Sequence, residues 1–148
     1  MISNDSLAGD FDSFLVDLDG VVYVGPTAVS GASETLTDLT AAGHRVCFVT
    51  NNASRTPQDV AAHLTDLGVP ATADDVLTSA QAGAALIARQ IPAGSAVLAV
   101  GGPGVSAALE SLGFRPVDAV TEPMAAGGDD VAAVLQGFGT EVGWSQLA

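Results

Sequence analysis

Short apolar runs of strand length alternate along this chain with longer stretches whose apolar residues stand three and four apart. The run Phe14-Leu15-Val16 predicts a strand over 13–16, and Val46-Cys47-Phe48-Val49-Thr50 a second over 46–50. Between them, Leu36 and Leu39 share one face of a helix over 33–42 that ends near Gly43. Thr56-Pro57-Gln58-Asp59 reads as a helix start, with Thr as N-cap, Pro at the first helical position and an acid at the third, and Gly68 closes that helix. A third strand over 76–78 leads into a third helix over 79–90 whose inward residues are expected to be Ala82, Leu86 and Ile87. A break at Ile91-Pro92-Ala93-Gly94 is followed by a strand over 96–100, a helix over 105–112 stopped by Gly113, and a strand over 131–135. The segment 122–130 reads as a small-residue acidic loop, and Trp144-Ser145-Gln146-Leu147-Ala148 as the opening of a helix. Such alternation argues for an α/β fold, a doubly wound parallel sheet with right-handed crossovers. No internal repeat is visible.

The first strand delivers two carboxylates, Asp17 and Asp19, to a turn at Gly20. Alternate strand residues face the same way, so the pair would project together if the extended geometry continued. Two like charges that close are unfavourable unless a cation or a shared proton relieves them. A site that holds Mg²⁺ and attacks phosphorus with one carboxylate while the other handles the proton needs this arrangement. Asp and Gly after a strand are also ordinary turn residues. The second strand ends in Thr50-Asn51-Asn52, and ligands of open parallel sheets collect at the carboxyl ends of strands. There Thr50 and Asn51 would stand beside Asp17 and offer a hydroxyl, an amide and backbone N–H groups to phosphate oxygens; the local alternative is a Thr-Asn turn.

Asp17-Leu18-Asp19-Gly20-Val21-Val22-Tyr23, followed by Val49-Thr50-Asn51-Asn52-Ala53-Ser54-Arg55, resembles the first two motifs of the haloacid dehalogenase superfamily. More narrowly, the chain is similar to the NagD-type phosphatases, often labelled 4-nitrophenylphosphatases. The likeness continues through Gly31 to Leu39, Pro57 to Gly68, Val76-Leu77-Thr78-Ser79 and Val100-Gly101-Gly102-Pro103-Gly104. It implies a Rossmann-like core over 1–92, a short flap over 21–24, and the first part of an α/β cap over 93–148. It also implies phosphate-monoester hydrolysis through an aspartyl-phosphate. In that scheme Asp17 is nucleophile, Asp19 general acid and base, Gly20, Thr50, Asn51 and Asn52 bind phosphate, and Asp17 and Asp19 hold Mg²⁺. The family pattern continues with a lysine motif and a Gly-Asp motif. This chain has no lysine, and its cations are Arg45, Arg55, Arg89 and Arg115. The expectation is therefore the front part of such an enzyme, its core incomplete, inactive or weak alone. The alternatives are a non-catalytic fragment and one subunit of a two-chain phosphatase whose partner supplies the remainder. A receiver-type phospho-acceptor fits less well, since such domains use a lysine and place the acceptor after a middle strand. A 2-haloacid dehalogenase does not call for Asp19.

Composition narrows the setting. The chain has 148 residues, enough for a real core, and 48% of them are apolar. A formal charge of −13 argues against nucleic acid and anionic membranes, which call for clustered Lys and Arg. The expected partner is a small phosphorylated metabolite of the sugar, glycerol or glycolate phosphate type, with self-association or a partner chain as further expectations. Neither a cationic n-region nor an apolar h-region is read at the N-terminus, and Cys47 is the single cysteine, so the cytoplasm is the expected compartment. Gly101-Gly102-Pro103-Gly104 lacks the spacing of a nucleotide loop and reads as a tight turn. His44 and His63 have no zinc-spaced neighbour, and His63 is expected on a polar helix face. Asp74-Asp75 and Asp129-Asp130 read as solvated acids, and Arg55 either reaches phosphate or lies on the surface.

Overall fold

The computed structural model describes residues 7–118 and 130–144. Its elements in chain order are β1 (Ser13–Asp17), β2 (Tyr23–Val24), β3 (Thr27–Ala28), α1 (Ala32–Ala41), β4 (Arg45–Thr50), α2 (Pro57–Asp66), β5 (Val76–Thr78), α3 (Ser79–Ile87), β6 (Ala96–Val100), α4 (Pro103–Ser111), β7 (Arg115–Asp118) and β8 (Val131–Gln136). Short 3₁₀ turns occupy Leu7–Asp10 and Ala73–Asp75. The α/β class expected from the alternation is present. The strands form two three-stranded sheets, ordered β1-β4-β5 and β7-β6-β8, and β2 pairs with β3 in a two-stranded one. Contacts divide the chain into two units, one from Met1–Thr50 and Pro57–Leu77, the other from Asn51–Thr56 and Thr78–Ala148.

In the first unit β1 runs parallel to β4, with Phe14 opposite Val46, Val16 opposite Phe48 and Asp17 opposite Val49. Val46, Phe48 and Thr50 alternate inward on β4, as the period of a one-sided strand requires. Val46 and Phe48 meet Leu36 and Leu39 of α1 and Val60, Ala61 and Leu64 of α2 in one apolar core, with Leu18, Val22 and Tyr23. Leu64 is fully buried; removing such a side chain from water contributes about 1.5–3 kcal/mol. The α2 helix starts at Pro57 as its sequence signals, and Gly68 at φ 82° ends it, with Val69 N–H donating to the Leu64 carbonyl. On its other side β1 has no strand neighbour among the described residues, and Leu15 is 78% exposed there.

The second unit centres on β6, which pairs in parallel with β7 and β8. Four of its five residues are buried, as suits a central parallel strand, whereas β8 alternates between half-buried and exposed. Val97 and Ala99 pack with Val105, Ala108 and Leu109 of α4 and with Ala80 and Ala84 of α3. Here the expected face of the third helix needs correction. Ala82 and Leu86 are exposed, Ile87 is partly buried, and the inward stripe is Ala80 and Ala84. Small residues face inward because α3 comes close to its neighbours: a methyl on Gly83 would lie 2.7 Å from Leu135 Cδ1. The helix also stops at Ile87, short of residue 90. Strand β7 was not expected; it carries Pro116 and sits at a sheet edge, where a missing N–H is tolerated. The acidic stretch 122–129 and residues 145–148 lie outside the described residues.

Candidate active site

Phe14 and Val16 hold β1 against the core, and the chain leaves the sheet after Asp17. Leu18 is fully buried, while Asp17 and Asp19 on either side of it are exposed. A buried residue between two exposed ones means that the extended alternation continues past the strand and turns both carboxylates outward together. The loop then closes tightly. The Leu18 carbonyl accepts from the N–H groups of Val21 (3.2 Å), Val22 (2.9 Å) and Tyr23 (3.2 Å), and Gly20 N–H donates to the Tyr23 carbonyl (2.8 Å). Gly20 makes this turn at φ 84°, a left-handed conformation that disfavours any residue with a Cβ. The residues expected to form a flap become a hairpin, β2 pairing antiparallel with β3 through Gly25 at φ 57°.

Thr50 ends β4, one residue beyond the partner of Asp17, and is 97% buried at 3% exposure. Asp17, Asp19, Gly20 and Thr50 thus lie at the carboxyl ends of two adjacent parallel strands in the first unit. Asn51 and Asn52 are counted with the second unit and are described there. Asn51 is exposed, and its carbonyl accepts from Ser79 Oγ at 2.7 Å. Asn52 Oδ1 accepts from both Ser54 N–H and Ser54 Oγ at 2.8 Å, a local turn of the Asx kind. The Asn-x-Ser spacing signals such a turn, although the reading above assigned Asn52 to phosphate alone.

Other sequence candidates find structural places. Gly101-Gly102-Pro103-Gly104 is the turn into α4, with Gly102 at the N-cap and Pro103 at the first helical position. Its glycines also permit close approach: Gly104 N–H donates to the Ser54 carbonyl at 3.1 Å. Asp75 caps the turn at Ala73–Asp75, accepting from Thr72 N–H and Oγ1. Thr78 and Gln81 cap α3 reciprocally. Arg55 is exposed. The expectation for His63 is corrected: it is half-buried, with its ring against Tyr23. No spacing in the sequence signals that contact.

Asp17 and Asp19 are both exposed and carry hard oxygen donors, the ligand chemistry that suits a small divalent cation. Among the described residues no group of three His, Cys, Asp or Glu side chains converges. No helix among the described residues is long and apolar enough to cross a membrane.

The model of a family described as haloacid dehalogenase-like hydrolase matches residues 14–115. A D-glycerol 3-phosphate phosphatase of Mycobacterium tuberculosis is 42% identical over 143 residues, covering 97% of this chain and 38% of that protein. Among solved structures, the glycerol phosphate phosphatase of Mycobacterium tuberculosis in complex with magnesium aligns with a TM-score of 0.82 at 42% identity, over 96% of this chain and 40% of that one. A p-nitrophenyl phosphatase from Archaeoglobus fulgidus aligns with a TM-score of 0.65 at 28% identity, over 73% of this chain and 41% of that one. The chain spans between 38% and 49% of the length of the curated relatives it matches. With the match reaching from β1 through Arg115, the chain belongs to the haloacid dehalogenase-like hydrolases, a family of enzymes that includes the NagD-like phosphatases.

Proposed function

We propose that this chain carries the nucleophile-bearing part of a phosphate-monoester hydrolase. The observation that supports it is the pair Asp17 and Asp19, exposed on either side of buried Leu18 and held by the Gly20 turn, in a chain of this family. In this reading an Asp17 carboxylate oxygen attacks phosphorus in line, the bond to the leaving oxygen breaks, and an aspartyl-phosphate forms. Asp19 gives its proton to the leaving oxygen. It then takes a proton from the water that attacks the same phosphorus, which breaks the acyl-phosphate bond and releases inorganic phosphate. Gly20, Thr50, Asn51 and Asn52 are the proposed phosphate-binding residues, by their place in the motifs. An Asp17 side-chain oxygen and the Asp19 backbone carbonyl would hold Mg²⁺, whose charge offsets that of the transferring group. The chain carries −13, so attraction for an anionic substrate has to be local, from N–H groups and the cation.

The proposed substrate is a small phosphorylated metabolite, on the strength of relatives that are glycerol phosphate and acid sugar phosphatases. The cytoplasm is the proposed compartment, and residues 1–92 and 93–148 are proposed as the front of the core and the start of the cap. On its own the chain is proposed to be a weak catalyst, since among the described residues no group of three potential metal ligands converges. A second reading, one subunit of a two-chain enzyme, is favoured by β1, the strand that bears Asp17, having a strand neighbour on one side only among the described residues. The test is hydrolysis of a generic aryl phosphate by the full chain, with trapping by BeF₃⁻. Asp17→Asn should abolish both turnover and trapping, and trapping should require Mg²⁺. Undiminished turnover in Asp17→Asn would sink the mechanism.

A further inference from the structure

We propose that His63, on α2, is a positioning residue for the loop that carries Asp19. The loop between β1 and β2 has no ladder of its own. Its ties converge on its two ends: the Leu18 carbonyl accepts three N–H groups, and the Gly20 N–H is taken by the Tyr23 carbonyl, next to a bridge between Asp19 and Tyr23. Asp19 is therefore placed by whatever places Tyr23. Leu18 is fixed by complete burial. Tyr23 is buried at 5% exposure in the same core, and within it the Tyr23 ring meets the His63 ring edge to face, with centroids 4.8 Å apart and planes at 73°.

His63 holds the hairpin at a second point. Its Nε2 lies 3.3 Å from the Gly25 carbonyl, 38 residues earlier in the chain by way of α1 and β4 and at the tip between β2 and β3. A carbonyl only accepts, so this contact assigns the proton to Nε2. One imidazole thus touches the residues on both sides of Val24, and β2 cannot shift along its axis without breaking one contact or the other. The helix that carries it is anchored, since Val60 and Leu64 on either side of His63 are buried at 2% and 0% exposure. A group that works through a carboxylate needs it held within about 0.5 Å, by residues that are themselves locked on rigid elements. His63 is such a residue. The statement about Asp19 chemistry rests on the phosphoryl-transfer reading; the statement about the loop stands on the contacts alone.

The experiment separates the two. Backbone amide hydrogen exchange is measured by NMR on the full chain, for wild type, His63→Ala and His63→Phe. In His63→Ala the Gly20 and Tyr23 amides should exchange about tenfold faster, with the Phe48 and Val60 amides unchanged, and the ring kept in His63→Phe should recover part of the protection. Unchanged Gly20 and Tyr23 rates overturn the proposal. So does an equal acceleration at Phe48, which would make His63 a general stabiliser of the fold. Mn²⁺ is then added as a paramagnetic probe. Broadening of the Asp17 to Gly20 amides in wild type, at several-fold higher Mn²⁺ in His63→Ala, supports the link from clamp to site. Equal broadening in both proteins overturns that link. No broadening near Asp17 in wild type counts against the phosphoryl-transfer reading, and the exchange rates still decide the clamp.

Discussion

Replacing Gly104 by alanine sets two opposing effects against each other, and the structure decides between them. In a helix interior alanine is favoured over glycine by about 1 kcal/mol, an upper bound for Gly104, the second residue of α4. The added methyl, however, would lie 2.3 Å from the Arg55 carbonyl oxygen, 2.6 Å from that of Ala53 and 2.7 Å from the Arg55 carbonyl carbon. All three are backbone atoms, so relief means moving the segment 53–55 or the first turn of the helix by about 1 Å to reach ordinary carbon contact distances. That movement strains the bond from Gly104 N–H to the Ser54 carbonyl, whose loss costs about 0.5–1.5 kcal/mol. Overpacking adds about 1–3 kcal/mol. Against the propensity gain, the net expectation is a loss of about 1–3 kcal/mol. Gly83→Ala is the control. Its methyl meets only Leu135 Cδ1 below 3.8 Å, at 2.7 Å, and the end of a leucine side chain can turn aside. A displaced rotamer costs about 0.5–1.5 kcal/mol, so this variant should stay within about 0.5 kcal/mol of wild type. Urea unfolding followed by circular dichroism measures both. Gly104→Ala as stable as wild type, or both variants falling together, would refute the reasoning.

Further outcomes follow from the same structure. Leu64→Ala empties the centre of the first unit's core and should cost about 2–5 kcal/mol in urea unfolding; a loss under 1 kcal/mol would mean that α2 is not docked as described. Mg²⁺ should bind the isolated chain at about millimolar strength or weaker, because two carboxylates and water are a modest ligand set; a micromolar site by calorimetry would require a further acid. Among the described residues β1 has a strand neighbour on one side only, and Leu15 is exposed; such an edge is a template for strand pairing, so the mass in solution should rise with concentration and Leu15→Lys should suppress the rise. A strictly monomeric wild type across the accessible range would remove that argument.

The candidate nucleophile was legible because its signal is local. An apolar run, two acids one residue apart and a glycine give the strand end, the outward alternation and the left-handed turn without reference to any other part of the chain. The same holds for α2, whose Pro57 and Gly68 mark its ends by backbone chemistry. Where position depends on a distant partner, the sequence reading failed in a consistent direction. On α3 the expected inward residue Leu86 is exposed and Ile87 only partly buried, because the neighbour lies close to the small residues Ala80, Gly83 and Ala84 that face it. Hydropathy measures the tendency to leave water, not the width of the gap into which a helix must pack.

Strand order is likewise not written in the apolar runs: β7 has no such run and is not visible in the sequence, because a strand's pattern encodes which faces are buried and not which edge it joins. The consequence reaches the site. Asp17 and Asp19 are set by their own few residues, but the loop that aims Asp19 is held by a histidine thirty-eight positions beyond Gly25, on a helix whose sequence signals only a polar face. The candidate reactive groups are therefore written locally, and their proposed alignment is written non-locally. A substitution at Asp17 can be judged from the motif alone, whereas one at His63 can be judged only from the fold.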